Sequence, residues 1–277
     1  MTAPGGEALS LKRMSLNTAS VRHAPISSAI AACAEAGVGG VGVWRHQVAE
    51  AGASAIAEQC RSAGLRITSL CRAGLFPADS QSARAAQIDD TRRAVDEAAE
   101  LGAEILVIVS GPVAQRSIEA SRRMVREGLD AVLPYADECG VAVGLEPLHP
   151  MFAADRSVVV TLGEANDLIA ELDHPRLRLV VDVYHCWWDA QVHAEIRRAV
   201  GRIGGFHISD WVPPWGNPLL CRALPGDGCI DIRGLRRSVE AAGYDGLIEV
   251  EVMNEALWER PLDEALPAIC DRFTAHA

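Results

Sequence analysis

Lysine is almost missing from this chain. Lys12 is the only one, and the other 25 basic residues are arginines. Schiff-base catalysis needs a lysine amine beside the substrate, so this shortage weighs against pyridoxal-phosphate chemistry and lysine-dependent aldol chemistry. Lys12 also falls at the start of the first predicted strand, the wrong end of a barrel for catalysis. Runs of basic residues are missing too. With a formal net charge of -11, the surface repels phosphate backbones and anionic membranes, so neither nucleic acid nor membrane is expected as a partner. The same acidity disfavours a strongly anionic substrate, although a single pocket can depart from the average. None of the eight cysteines (Cys33, Cys60, Cys71, Cys139, Cys186, Cys221, Cys229 and Cys270) forms a C-x-x-C pair, which removes zinc-ribbon and thioredoxin-like readings. Several lie in apolar segments, where a free thiol behaves as a small hydrophobe. No secretory apolar segment and no membrane-length apolar run is visible, so a reduced, cytoplasmic, soluble protein is expected.

What is present is a regular alternation. The 277 residues are 49% apolar and 23% charged, enough apolar surface for a large core and too little charge for disorder. Short β-branched runs at Arg13–Thr18, Gly40–Trp44, Arg66–Cys71, Ile105–Ser110, Val141–Glu146, Leu177–Asp182, Ile203–Ile208 and Leu247–Val252 alternate with stretches of helical period. Those stretches include Ala83–Leu101, Ala114–Cys139, Gly163–Leu172 and Leu262–His276. Glycines at 37, 64, 102, 140 and 243 stop helices ahead of strands. Eight strand–helix units imply parallel strands with right-handed crossovers, predicting a closed (β/α)8 TIM barrel over residues 11–277 after a flexible tail at 1–10; an open doubly wound sheet is the rival. The run Gly37-Val38-Gly39-Gly40-Val41-Gly42 matches a dinucleotide-binding pattern. It follows a helix and opens a strand, the reverse of what such a site needs.

In such barrels chemistry sits at the C-terminal ends of the strands. Strand five ends in Glu146, strand six in Asp182 and strand eight in Glu251, and strand seven carries His207 near its end. Each lies in an otherwise apolar strand, where an unpaired charge is costly. Three carboxylates and an imidazole at one rim call for a cation. Three oxygens and one nitrogen suit a single Mn2+ first, with Mg2+, Co2+ or Zn2+ as alternatives, and leave positions open for substrate. The bland alternative is four unrelated strand-end groups, each bonded to backbone or arginine.

The motifs LEPLHP around Glu146, VVDVYH over Val180–His185, FHISD around His207, LPGDGCID over Leu224–Asp231 and IEVEV ending in Glu251 resemble the xylose-isomerase-like barrel superfamily, the sugar phosphate isomerase/epimerase group. The resemblance runs from about Met14 to Phe273. It implies that Glu146, Asp182, His207 and Glu251 ligate the metal, with Glu249, deeper in strand eight, the less favoured competitor to Glu251. It implies that His185 and Arg222 hold substrate oxygens. It also implies isomerisation or epimerisation of a sugar or related polyhydroxy ketone through a metal-stabilised enediolate, with Glu146 and Glu251 as the acid/base pair. Ketose 3-epimerases of the group carry Asn-Arg after Glu-Pro-Leu; this chain has His149-Pro150, which puts a simple ketohexose epimerase in doubt and makes His149 a substrate-contact candidate. The family often pairs, so a homodimer or homotetramer is expected.

The six tryptophans, Trp44, Trp187, Trp188, Trp211, Trp215 and Trp258, fall at or beyond predicted strand ends. Indoles offer flat faces to a sugar or an aromatic aglycone, so Trp44, Trp188 and Trp211 join Arg72 as substrate-binding candidates; Arg45 is a further strand-end arginine. Three other activities stay open. A lyase or dehydratase on an inosose or modified sugar would use the same site. An apurinic-site endonuclease would need more histidines and a basic groove. A non-catalytic sugar-binding subunit would need an incomplete metal set.

Overall fold

A computed structural model describes residues 9–213 and 216–277. The expected tail lies outside these residues up to position 8, and so does Trp215. Ser10 is not tail: its hydroxyl accepts from the Lys12 backbone N–H and caps the short 3-10 turn Leu11–Arg13.

Eight parallel strands close into a barrel. They are β1 (Met14–Asn17), β2 (Gly40–Trp44), β3 (Arg66–Gly74), β4 (Leu106–Val109), β5 (Val143–Glu146), β6 (Leu177–Asp182), β7 (Ile203–Ile208) and, last in the chain, β10 (Ile248–Val250). Their order around the barrel is β1-β10-β7-β6-β5-β4-β3-β2, the closure predicted from the alternating pattern. An added antiparallel pair, β8 (Asp210–Trp211) and β9 (Arg222–Ala223), stands in the loop after β7. It was not expected from the sequence, because two-residue strands leave no periodicity to detect.

The helices begin where the local chemistry supplies caps. Ser80 accepts from the Ala83 N–H ahead of the helix Gln81–Leu101, Ser117 from Ala120 ahead of Ile118–Glu138, and Thr161 from Glu164 ahead of Leu162–Leu172. The Ser117 cap moves the start of its helix four residues past the predicted Ala114. Asp231 caps Ile232–Ala241 through the Gly234 N–H at 2.9 Å.

The main apolar core lies between barrel and helices. Inside the barrel a smaller cluster of Cys71, Ile105, Val107 and Val180 fills the middle. Gly144 and Gly204 make room for it, since a Cβ on either would stand 2.5 and 2.6 Å from the Ile105 Cδ1. The glycine-rich run before β2 serves packing as well. A Cβ at Gly39 would meet the Lys12 carbonyl oxygen at 2.2 Å, and one at Gly42 would meet Glu249 Oε1 at 2.3 Å. Among the described residues, no helix is long and apolar enough to cross a membrane.

Candidate metal centre and active site

Strand register places the polar residues in layers. Asp182 pairs with His207 across β6 and β7, and His207 pairs with Glu249 across β7 and β10. Glu249 is therefore level with His207, and Glu251 stands one pleat nearer the rim, just past the end of β10. Glu146 ends β5. All five groups are buried.

Glu146, Asp182 and His207 each offer a ligand atom, and the three atoms lie within 4.8 Å of one another. His207 Nδ1 is 3.0 Å from Glu146 Oε1, yet neither atom makes a hydrogen bond. The pair is close without the alignment a hydrogen bond requires, which is the disposition of two ligands converging on a shared cation. The charge count agrees. Glu146, Asp182, Glu249 and Glu251 are four buried carboxylates, and the buried Arg222 guanidinium pairs with two of them, Asp182 and Glu251. These residues fit a divalent ion.

The imbalance registers in the protonation equilibria. Burial alone would lower His207, but Glu249 and then Glu146 outweigh it and push its pKa up to about 10. Burial, reinforced by Glu146 and Asp182 against the pull of Arg222 and His207, pushes Glu251 up to about 7. Asp182 goes the other way. Arg222, His185, His207 and the Tyr184 backbone N–H overcome its burial and hold it below the usual carboxylate range.

Glu251, expected as the fourth ligand, is not part of the three-atom group. Its Oε2 is instead 3.0 Å from Arg222 Nη1, which also donates to Asp182 Oδ2 at 2.8 Å. Arg222 is 1% exposed and lies over the Tyr184 ring at 4.5 Å. It bridges β6 and β10 at the rim. Glu249, the competing residue, is a barrel-interior anchor. It accepts from Asn17 Nδ2 (2.7 Å), Thr68 Oγ1 (2.6 Å) and Ser69 Oγ (2.9 Å), and lies 3.8 Å from His207 Nε2. Three neutral donors satisfy that carboxylate without making it a ligand.

His185 sits on the single helical turn Val183–Cys186, which Asp182 caps through the Tyr184 N–H at 2.9 Å. Burial lowers its pKa to about 3, so the ring is neutral. Two donors meet the ring, the His149 backbone N–H at Nδ1 (3.2 Å) and Arg222 Nη2 at Nε2 (3.1 Å), and a neutral imidazole accepts at one nitrogen while carrying its proton on the other.

A cavity of about 260 Å³ opens over this group, lined by Glu146, Glu251, His185 and Arg222 together with Trp44, Arg72, Trp258 and others. That is small-molecule scale. Trp44 is fixed by its Nε1–H to Asn17 Oδ1 at 2.7 Å, and Trp258 by its Nε1–H to the Ala19 carbonyl at 2.7 Å. Three expected substrate contacts are not on the wall. His149 stacks on Trp211 at 5.1 Å and meets Trp188 edge-on at 5.5 Å, and Trp211 packs on Tyr184 at 4.7 Å. These rings occupy one another beside the mouth. Arg45 is likewise engaged elsewhere, forked onto Asp90 and Glu97 at 2.7 Å each. The sequence reading missed Arg22, Cys71 and Arg156, which do line the cavity. Cys71 ends the predicted third strand and was legible as a strand-end residue; the two arginines come from irregular segments with no periodic signal.

Residues 30–271 match the family described as xylose isomerase-like TIM barrel. The L-ribulose-5-phosphate 3-epimerase UlaE of Shigella flexneri is 26% identical over 216 residues, covering 75% of this chain and 71% of its own. Among solved structures, protein SMc04130 of Sinorhizobium meliloti 1021 superposes with a TM-score of 0.93 at 43% identity, over 97% of this chain and 100% of that one. The IOLI protein, solved with a bound zinc atom, shares the fold at a TM-score of 0.80 and 17% identity, over 94% and 95% of the two chains. Barrel closure, strand-end carboxylates and the match over residues 30–271 agree, and the chain belongs to the xylose isomerase-like TIM-barrel family.

Proposed function

We propose that this chain is a divalent-metal-dependent isomerase or epimerase acting on a sugar or related polyhydroxy ketone. The observation that carries the reading is the convergence of Glu146, Asp182 and His207, with the unbonded Oε1–Nδ1 pair among them, where Glu146 also lines a small-molecule cavity. The similarity to a sugar epimerase supports it. Glu146, Asp182 and His207 would hold the ion, manganese by preference; bound there, it supplies a Lewis acid for carbonyl and hydroxyl oxygens.

The chain's own groups account for the proton movements. Glu251 has its pKa pushed to about 7, the range in which a carboxyl both takes and returns a proton at neutral pH. In the barrel order β10 and β5 are separated by β7 and β6, so Glu251 and Glu146 reach the cavity from different sides. Removal of a carbon-bound proton by one and return by the other inverts a centre; return by the same residue to the neighbouring carbon isomerises. Arg222 fixes Glu251 beside Asp182. His185, neutral and on the cavity wall beside Arg222, is a polar contact for a substrate oxygen. Trp44 and Trp258 present apolar faces to substrate C–H groups.

The test is proton exchange from solvent. A panel of ketoses incubated in D2O with the manganese-loaded protein should acquire deuterium at the carbon beside the carbonyl, and Glu251→Gln should abolish this while retaining the ion. Loss of water without deuterium exchange into recovered substrate would replace the reading with a dehydratase.

A further inference from the structure

Many arginines in this protein pair with carboxylates, which a net charge of -11 makes plentiful. Arg45 is forked onto Asp90 and Glu97, Arg66 onto Glu104, and Arg222 onto Asp182 and Glu251. On the cavity wall Arg72 and Arg156, like Arg22, have no hydrogen-bonded carboxylate among the described residues. Arg72, at the C-terminal part of β3, is largely withdrawn from solvent and has no hydrogen-bond acceptor or ion-pair partner among the described residues. Arg156 follows β5 in the loop after the 3-10 turn Pro150–Phe152. Its Nε is buried without a hydrogen-bond partner, and the carboxylate it approaches, Asp155 Oδ2, is 3.7 Å away on an exposed side chain.

The two guanidiniums line the same cavity. Burial first and Arg156 second push the Arg72 pKa down, against a smaller pull from Glu146 and Glu251 across the cavity. Two like charges on one cavity wall, one of them with an unsatisfied buried donor, are an unfavourable arrangement in the free protein. An incoming oxyanion would satisfy both, because guanidinium forks match phosphate and carboxylate oxygens. Arg22, over the Trp258 ring at 4.8 Å, adds positive charge to the same cavity.

We infer that Arg72 and Arg156 form an oxyanion subsite in the cavity, so that the substrate carries a phosphate or carboxylate group as well as its hydroxyls. This rests on the reading that the cavity receives a polyhydroxy substrate. It also narrows that reading, and it reverses the expectation from net charge: the overall acidity stops at this wall.

The test is isothermal titration of the EDTA-treated protein with inorganic phosphate, D-gluconate and the uncharged polyol D-glucitol, in wild type, Arg72→Met, Arg72→Lys and Arg156→Met. One of the anions should bind at least tenfold more tightly than glucitol. Each Met variant should weaken that binding about tenfold or more, the loss of a charge-assisted contact, and Arg72→Lys should recover part of it. Preference for phosphate assigns a phosphomonoester, and preference for gluconate a sugar acid. Manganese uptake, measured in parallel, should be unchanged in the Met variants, because neither arginine touches Glu146, Asp182 or His207; this also shows that they fold. Equal binding of glucitol and the anions, or unaltered anion affinity in both Met variants, overturns the subsite. Wild type that takes up manganese but binds neither anion overturns the subsite alone. Anion binding without manganese uptake overturns the metal reading alone.

Discussion

His207 Nδ1 and Glu146 Oε1 face each other at 3.0 Å in the buried floor of the barrel mouth, and neither is hydrogen-bonded. The proposed metal centre offers the same two atoms to a cation. Binding should therefore stabilise the fold measurably. An ion that binds only the native state adds about 2.7 kcal/mol at a hundredfold excess over its Kd, roughly 5–10 °C in Tm for a domain of this size. Thermal unfolding with and without manganese should show that rise in wild type and none in His207→Gln.

Glu251 gives a pH signature in the metal-free protein. Its folded pKa of about 7 lies above the ordinary carboxylate value of 4.5. Between those values the native state therefore binds more protons than the unfolded chain, and this group's contribution falls as pH rises, levelling off above about 7. Glu251→Gln lacks the term. In EDTA the variant should gain on wild type by up to about 3 kcal/mol between pH 4.5 and 7.5, read from urea midpoints. A difference between the two proteins that does not change with pH would place the Glu251 carboxyl in an ordinary environment.

Gly42 is the space that Glu249 occupies. A methyl there would stand 2.3 Å from Glu249 Oε1 and 2.8 Å from Ser69 Oγ. Gly42→Ala should destabilise the barrel by about 1–3 kcal/mol, the usual cost of overpacking. It should also weaken manganese binding, because displaced Glu249 no longer steadies His207 from below. Unfolding and metal titration of this variant measure both.

Arg45 and Arg72 make a matched contrast. Both lie at strand ends, but Arg45 is held by Asp90 and Glu97 on the outer surface. Arg45→Gln should cost no more than about 1 kcal/mol, the scale of exposed ion pairs, and leave anion binding and turnover unchanged. Impaired turnover with intact folding would place Arg45 in the site after all.

The sequence made the candidate site legible where polar residues end apolar strands. Glu146, Asp182 and His207 each sit at the end of an apolar run, and a parallel barrel sends all such ends to one rim. It separated Glu249 from Glu251 only by depth. Two residues apart on one strand, they share a facing, and their different roles come from neighbours on other strands: Asn17, Thr68 and Ser69 for the deeper one, Arg222 for the upper. Loops carry less signal. His149, Trp188 and Trp211 were singled out because they follow strands, and in the structure His149 stacks on Trp211 and meets Trp188 edge-on. Arg22 and Arg156 reach the cavity from segments whose path no local pattern encodes. The glycine run at 37–42 was correctly set aside as a nucleotide motif, and the structure supplies its reason in close backbone packing at Gly39 and Gly42.

The most direct measurement is elemental analysis of the purified protein beside Asp182→Ala, each after manganese loading and desalting. One divalent ion per chain in wild type and none in the variant is the predicted result. No ion in wild type, or an equal amount retained without Asp182, would contradict a metal centre at Glu146, Asp182 and His207.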